Sequence, residues 1–555
     1  MSKIQGFICI VLFFSLSCKK QLSTVVQDSI TDETFWKTPN DFKLAANHLY
    51  NGLDRFGFED TESDIAFNFP NSISNGNLQP SETSSDWTNS YSYIRSANNI
   101  LEKGALNSDA EIKRYLAEAR FFRAWYYWKL LRIYGGVPLI TRVLDVDDPA
   151  LFAARSSRTE TADLILKDLN EAVTDLPLQS ALPASDVGRI TKGAALSLMA
   201  RVALFEGTWQ KFRNGTSAGK YLDAAIAASG LVMNSGGYSL YAGNADQSYR
   251  YLFLEQGDDS RETILDRRYA RDILGHDMPY QYDETGYNPT KKMADMYLDK
   301  NGLPIGNPGS LFHGYATFSS EFQDRDPRMT MVMTIPGTLT NRVFFPVTKI
   351  ANWPDKPQRN FNTGYILYKF MSEDPFANNT GQYGDESKFD YDRHLIRYAE
   401  VLLIYAEASF EKNDAITDQE LNESVNKIRD RVHMPHLSNA FIAANGLDMR
   451  TEIRRERTVE LALEGFRYDD LRRWKTAEIE LRQDIKGIKI RGAEWASRAP
   501  YGDPAYLGRI DAEGFLIAET NRRFDAGKDY LQPLPVREIA FYTASGYKLE
   551  QNPNW

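Results

Sequence analysis

The chain has 555 residues with 65 basic and 75 acidic side chains, a formal net charge of −10 and two cysteines, Cys9 and Cys18. Its length calls for several modules or one large repeat-built body, and 42% hydrophobic with 25% charged residues excludes a wholly disordered chain. The acidic balance argues against nucleic acid as a partner, and a body free of cysteine after Cys18 excludes disulfides, thiolate metal sites and cysteine nucleophiles.

Residues 1–17, MSKIQGFICIVLFFSLS, set Lys3 ahead of an apolar run from Ile8 to Leu16. A spanning helix needs about 20 apolar residues, so this shorter run reads as a secretory signal peptide. Ser17 directly before Cys18 suggests lipoprotein processing, with the Cys18 thiol acylated and Cys18 as the mature N-terminus. Acyl chains contribute ~0.8 kcal/mol per buried methylene, so two or three of them form a stable anchor. Residues 18–30 are then the lipidated N-terminus and a polar tether.

A first helix begins in TDETFW, where Thr31 or Asp32 can cap it and Leu44, His48 and Leu49 continue one face. The strongest periodicity runs from Glu111 to Tyr134. There Ile112, Tyr115, Leu116, Ala119, Phe122, Tyr126, Leu130 and Ile133 fall at three- and four-residue steps, and Gly135-Gly136-Val137-Pro138 ends the run. Further helices are predicted over Thr159–Leu176, Lys192–Glu206, Tyr221–Ser229, His394–Phe410, Leu421–Val432 and Thr451–Trp474.

Small residues recur where partners must approach closely: Ala195, Ala200 and Ala203, then Ala399, Ala406 and Ala408. The predicted fold class is therefore all-α, built of tetratricopeptide-like helix pairs of degenerate period. From about 235 to 390, Gly, Asp, Asn, Pro and aromatics dominate, with short apolar runs such as VFFPV (343–347) and YILYKF (365–370), and 480–530 is similar. These segments read as long surface loops with a few short strands, of a length that is uncommon unless it carries function. The chain divides into a helical region over 31–235 and a second region over 236–555 with a loop-rich insert at 236–390.

Many segments in order resemble the SusD/RagB family of outer-membrane, nutrient-binding lipoproteins. They include TDETFWKTPNDFKLAANHLYNGL, YSYIRSANNILE, RYLAEARFFRAWYYWKLLRIYGGVPL, SSRTETADLILKDLNEA and GRITKGAALSLMARVALFEG. In the second half the matching segments are DRDPRM, TGYILYKF, LIRYAEVLLIYAEA, VNKIRDRVHMP, RRERTVELALEGFRYDDLRRW, YLQPLPVREI and the closing QNPNW. The resemblance implies a surface glycan-binding subunit on the outer membrane, resting as a lid on a SusC-like, TonB-dependent barrel transporter. It implies no enzymatic activity and no cofactor.

The densest charge cluster places Glu456, Glu460 and Glu464 at i, i+4 and i+8, where like charges repel unless cations lie opposite. Di-iron chemistry would need Glu-x-x-His pairs on neighbouring helices, and His433 and His436 lie past a helix end. The row reads instead as a structural ion-pair network with Arg429, Arg431, Arg454 or Arg457, joined by Glu400 and Glu407. No metal site is expected: zinc lacks its ligand pattern, and the acidic loops at 257–260 and 501–514 lack calcium-loop spacing. No catalytic residue is assigned: six histidines support a Ser-His-Asp site poorly, and a phosphate-cradling glycine loop is absent from the sequence.

Sugar rings present flat C–H faces on which aromatic side chains stack, while amides and charged groups bond the hydroxyls. Trp36, Trp125, Tyr126, Trp128 and Trp474 sit at helical or fold-signature positions and read as packing. The glycan-contact candidates lie in loops or at a loop–helix rim: Trp87, Tyr280, Tyr282, Tyr287, Phe312, Tyr315 and Trp353, with Asn68, Asn75 and Asn77 as hydroxyl partners. Two rival readings stay open. One is a lipid-anchored glycoside hydrolase, which needs two carboxylates flanking the sugar at ~5–9 Å; the other is a transporter lid without substrate contact.

Overall fold

The computed structural model describes residues 35–317, 319–335, 339–340, 350–351, 363–373, 389–497 and 508–555. Cys18, the signal peptide and tether, the VFFPV run and Trp353 lie outside the described residues. The framework is all-α. Helix α1 (Pro39–Tyr50) starts at Thr38, whose side chain accepts from the Asp41 N–H, while Asp41 reaches back to the Thr38 N–H. That capping box, with Pro39 opening the helix, moves the start past the expected Thr31 or Asp32. The buried face is Phe42, Ala46 and Leu49, and Leu44 points outward.

Five helices follow: α2 (Ser85–Ala105), α3 (Lys113–Tyr134), α4 (Arg158–Asp175), α5 (Lys192–Lys211) and α6 (Ala218–Met233). Ser84, Ser157 and Thr191 cap α2, α4 and α5 through their hydroxyls. Each helix packs on the next in sequence, and α7 (Tyr398–Asn413) closes on α6 and α5. This packing of each helix on its sequence neighbour is what makes the pairs tetratricopeptide-like. Gly207 shows how close they come, since a Cβ there would stand 3.0 Å from Leu222 of α6. Trp125, Tyr126 and Trp128 are buried in this core, as packing residues.

Other predicted elements also differ in the structure. The segment expected to open a helix at His394 is a strand, β2 (Arg393–Arg397), paired antiparallel with β1 (Thr263–Arg267). Its partner lies more than a hundred residues away, out of reach of local periodicity. The single helix over 421–432 is two, α8 (Asp418–Glu423) and α9 (Val425–Arg431), broken where Ser424 turns its hydroxyl onto the Glu420 carbonyl at 2.5 Å. The long helix to Trp474 is also two, α10 (Met449–Glu460) and α11 (Arg467–Arg473). Leu463 and Gly465 adopt positive φ between them (64° and 86°), and the freed Gly465 N–H donates to Asp60 at 3.2 Å. Alanine-rich α6 runs longer than the predicted 221–229.

The loop-rich insert is not only surface. Its described parts enclose a second hydrophobic core around Tyr249, Tyr282, Tyr287, Tyr297, Met329, Leu367 and Phe370. YILYKF supplies Tyr365, Ile366 and Leu367 to it and forms one isolated bridge, Met333 to Leu367, instead of a strand. The terminal QNPNW is docked: Asn552 donates to the Tyr134 and Gln532 carbonyls at 3.1 and 2.6 Å, and the Trp555 indole donates to the Leu531 carbonyl at 2.8 Å.

His394 on β2 meets the Asp266 carboxylate through Nδ1 at 2.8 Å and the Leu252 carbonyl through Nε2 at 2.7 Å. A carbonyl only accepts, and so does a carboxylate, so both ring nitrogens carry hydrogen and the ring is an imidazolium. Burial opposes that charge, but Asp266 outweighs it and His394 is raised to about 9. A raised folded value contributes stability that is fully present below the unfolded value near 6.5 and is lost as pH rises through 9. Urea midpoints measured from pH 6 to 10 should therefore fall less steeply in His394→Gln than in the parent; equal slopes would reject the imidazolium assignment.

Candidate ligand face in the loop cluster

Loops from three parts of the sequence converge on one hairpin, β3 (Ile485–Lys489) and β4 (Phe515–Glu519), paired antiparallel with Lys489 opposite Phe515 and Ile485 opposite Glu519. Two irregularities in its register bend the ladder. Gly487 lies against the Thr363 backbone, where a Cβ would stand 1.9 Å from the carbonyl oxygen, so the hairpin rests directly on the second core.

At the Phe515 end sit two of the candidates. Tyr315 meets Phe515 edge-on at 5.2 Å, Phe312 meets Tyr315 edge-on at 5.1 Å, and both Phe312 and Tyr315 are half-buried. Lys291 and Lys489 place their ammonium groups 5.5 and 5.4 Å from the Tyr315 ring centre, and the Arg325 guanidinium lies 5.2 Å from that of Phe312. Beneath them Glu321 accepts from the Tyr365 hydroxyl at 2.7 Å, and burial pushes its carboxyl up to about 7.

At the Glu519 end sit Asn75 and Asn77. The Asn75 amide donates to Glu519 at 2.9 Å and its oxygen accepts from both nitrogens of Asn77, while the Asn75 carbonyl accepts from the Arg523 N–H at 3.0 Å. Asn75 is buried and structural; Asn77 is exposed. The two ends stand four residues apart along β4, roughly 13 Å at the rise of an extended strand.

Three aromatic candidates fall elsewhere. Trp87 is not a rim residue: it is the third residue of α2, 6% exposed, with its ring on Tyr91 and Tyr134. Tyr282 and Tyr287 are each 1% exposed, packed on one another at 4.8 Å with their hydroxyls donating to the Gly57 and Glu59 carbonyls. An aromatic in a polar loop anchors that loop as readily as it meets a ligand, and these three are anchors. Tyr280 is half-buried in the short helix Met278–Thr285, and Asn68 is buried with its side chain accepting from the Phe69 N–H. Phe515, Lys291 and Lys489 were not among the candidates. Gly514 followed by FLIAE was the available signal of a strand, but its partner could not be read locally.

The charge cluster forms a separate, buried system. Glu456 takes Arg328 at 2.7 Å and Arg429 at 2.8 Å; Glu460 takes Arg397 at 2.6 Å, Arg431 at 2.5 Å and Arg328 at 3.0 Å; Glu464 takes Lys369 at 2.6 Å and Arg397 at 2.7 Å. Glu262 and Asp326 complete a set in which five carboxylates face five cations. The expected membership needs correction. Glu400 pairs with Arg201 of α5 and Arg454 with Glu411. Glu407 belongs to a neighbouring group with Arg473, Arg457, Asp470 and the Trp474 indole. Glu464 lies beyond the end of α10, so the three glutamates do not share one helix.

A polar cavity of about 280 Å³ lies between α3, α5, β2 and α11. Arg132 with Asp469, Lys129 with Asp54 and Arg393 with Glu59 line it as internal pairs, which leaves the hairpin face as the better candidate. Among the described residues no group of three His, Cys, Asp or Glu could hold a metal ion, and no helix is long and apolar enough to cross a membrane.

Framework and face together define a helix-repeat scaffold carrying a loop-built, aromatic-lined surface. The chain belongs to the SusD family, whose family model matches residues 251–555. Residues 58–204 match a second family, described as starch-binding associating with outer membrane. A SusD-like carbohydrate-binding protein from Bacteroides fragilis is 26% identical, and its crystal structure matches with a TM-score of 0.74 over 91% of this chain and 98% of that one. SusD-like protein P38 of Formosa agariphila is 26% identical over 522 residues, 85% of this chain and 91% of the relative. SusD-like protein P2 of the same organism is 24% identical over 573 residues, 96% of each.

Proposed function

We propose that this protein is a lipid-anchored outer-membrane subunit that binds an oligosaccharide or polysaccharide without cleaving it and passes it to a SusC-like, TonB-dependent transporter. The observation that carries the binding reading is the half-buried Phe312–Tyr315 pair packed edge-on against buried Phe515 of the hairpin, with exposed Asn77 at the other end of β4, in a chain of the SusD family. Ring faces supply apolar contact for sugar C–H groups, and the flanking amide and ammonium groups suit hydroxyls. The apolar run ending at Cys18 supports the anchor, which would hold the body beside its transporter.

Affinity electrophoresis and calorimetry with a polysaccharide panel, run beside a reducing-sugar assay, test this reading. Binding without product is expected, and Tyr315→Ala should weaken it about tenfold, the equivalent of about 1.4 kcal/mol, with an unchanged melting temperature. Product release abolished by a single carboxylate substitution would make the protein a hydrolase. Copurification of the barrel with no glycan binding would make it a lid. Cys18→Ala should release the protein from the membrane fraction, and retention there would remove the lipid anchor from the proposal.

A further inference from the structure

The geometry points to an acidic glycan, one bearing carboxylate or sulfate groups, as the ligand class of the hairpin face. This rests on the reading of that face as a glycan site. Lys291 is neutralised by Asp295 at 2.5 Å, and Lys486 by Asp511 at 2.7 Å and Glu513 at 3.3 Å. Arg325 spends its donors on the Glu321, Ala294 and Tyr297 carbonyls. Lys489 differs: its ammonium lies 5.1 Å from the Phe515 ring centre and 5.4 Å from that of Tyr315, with no carboxylate partner among the described residues. Arg491, exposed two residues on, likewise has none.

In a chain of net charge −10, carboxylates to neutralise these cations are abundant, yet none meets them among the described residues. Ring quadrupoles hold an ammonium in place without cancelling its charge. A sugar stacked on Tyr315 would therefore bring a carboxylate or sulfate within reach of Lys489, gaining a charge-assisted bond in a partly desolvated setting. A neutral sugar would gain only the stacking.

Calorimetry at low and high NaCl with polygalacturonate oligomers, sulfated galactan oligomers and neutral dextran oligomers tests this on the full-length protein, its Lys489→Met variant and its Tyr315→Ala variant. An acidic probe should bind more tightly than dextran, weaken with salt, and lose about tenfold in Lys489→Met; the uronate and sulfate arms decide which anion is taken. The melting temperature of Lys489→Met should match the parent, since no carboxylate loses its partner. If dextran binds and depends on Tyr315 but not on Lys489 or salt, the acidic class is wrong and the face remains a glycan site. If no probe binds at all, the inference is overturned together with the reading on which it rests.

Discussion

Glu460→Ala is expected to destabilise the protein by about 3–5 kcal/mol, the cost of removing one partner from a buried charge set. Glu460 is 0% exposed and meets Arg328, Arg397 and Arg431 at once, whose side chains are 0–3% exposed. Without it the five-to-five balance becomes an excess of buried positive charge that water cannot reach. Burial works against the Glu460 charge, but Arg431, Arg397 and Arg328 together hold its carboxyl well below the usual range. Glu407, similarly opposed by burial and favoured by Arg473, is held at about 2.

Lowered carboxyls contribute stability that is present above the unfolded value of about 4.5 and lost as pH falls through the folded one. The parent should therefore lose stability between pH 4.5 and 2, and Glu460→Ala should lose less over that window because part of the contribution is already gone. Thermal melts at pH 7, pH 4 and pH 2.5 check both statements. A melting temperature unchanged at pH 7 would sink the ion-network account.

Gly136→Ala should cost about 3 kcal/mol, at the upper end for forcing atoms into a packed site. A Cβ on Gly136 would stand 2.0 Å from the Ser156 carbonyl oxygen, 2.8 Å from the Ser157 carbonyl carbon and 2.9 Å from the Arg158 nitrogen, all backbone at the start of α4. Neither side can yield cheaply. Ser156 donates to the Val137 carbonyl, and Arg155 donates to the Gly136 and Tyr134 carbonyls at 2.8 Å and to Asn552 of the terminal segment at 2.8 Å. The α3–α4 junction and the docked C-terminus should loosen together. Urea unfolding should show the loss, and limited proteolysis should cut the last residues of the variant faster than the parent. A parent-like profile in both would mean that the junction relaxes without cost.

Much of the framework was legible because helices are local. The α3 periodicity and its Gly-Gly-Val-Pro stop, the α4 and α5 runs and their hydroxyl caps all follow from residues within a few positions of one another. Where a distant partner decided the outcome, the local pattern misled: His394–Arg397 has the apolar content of a helix start but pairs with Thr263–Arg267, and Gly465 breaks a run that periodicity carries through. The candidate face followed the same division. Phe312 and Tyr315 could be proposed from a loop rich in aromatics, whereas the burial of Trp87, Tyr282 and Tyr287 depends on what packs over them. Phe515, Lys291 and Lys489 join the face only once the hairpin exists.

Composition and short-range spacing already specify the helical class, the cysteine-free body and a glutamate row that has to find cations. Which cations those are was settled by long-range packing. Arg328, Arg397 and Lys369 come from a short helix, a strand and a loop far from α10, and nothing in their local sequence distinguishes them from surface charges. It also decided which aromatics remain open to solvent and, among the described residues, left Lys489 without a counter-charge. Burial and charge balance are properties of neighbours in space, and the chain sets those only by folding.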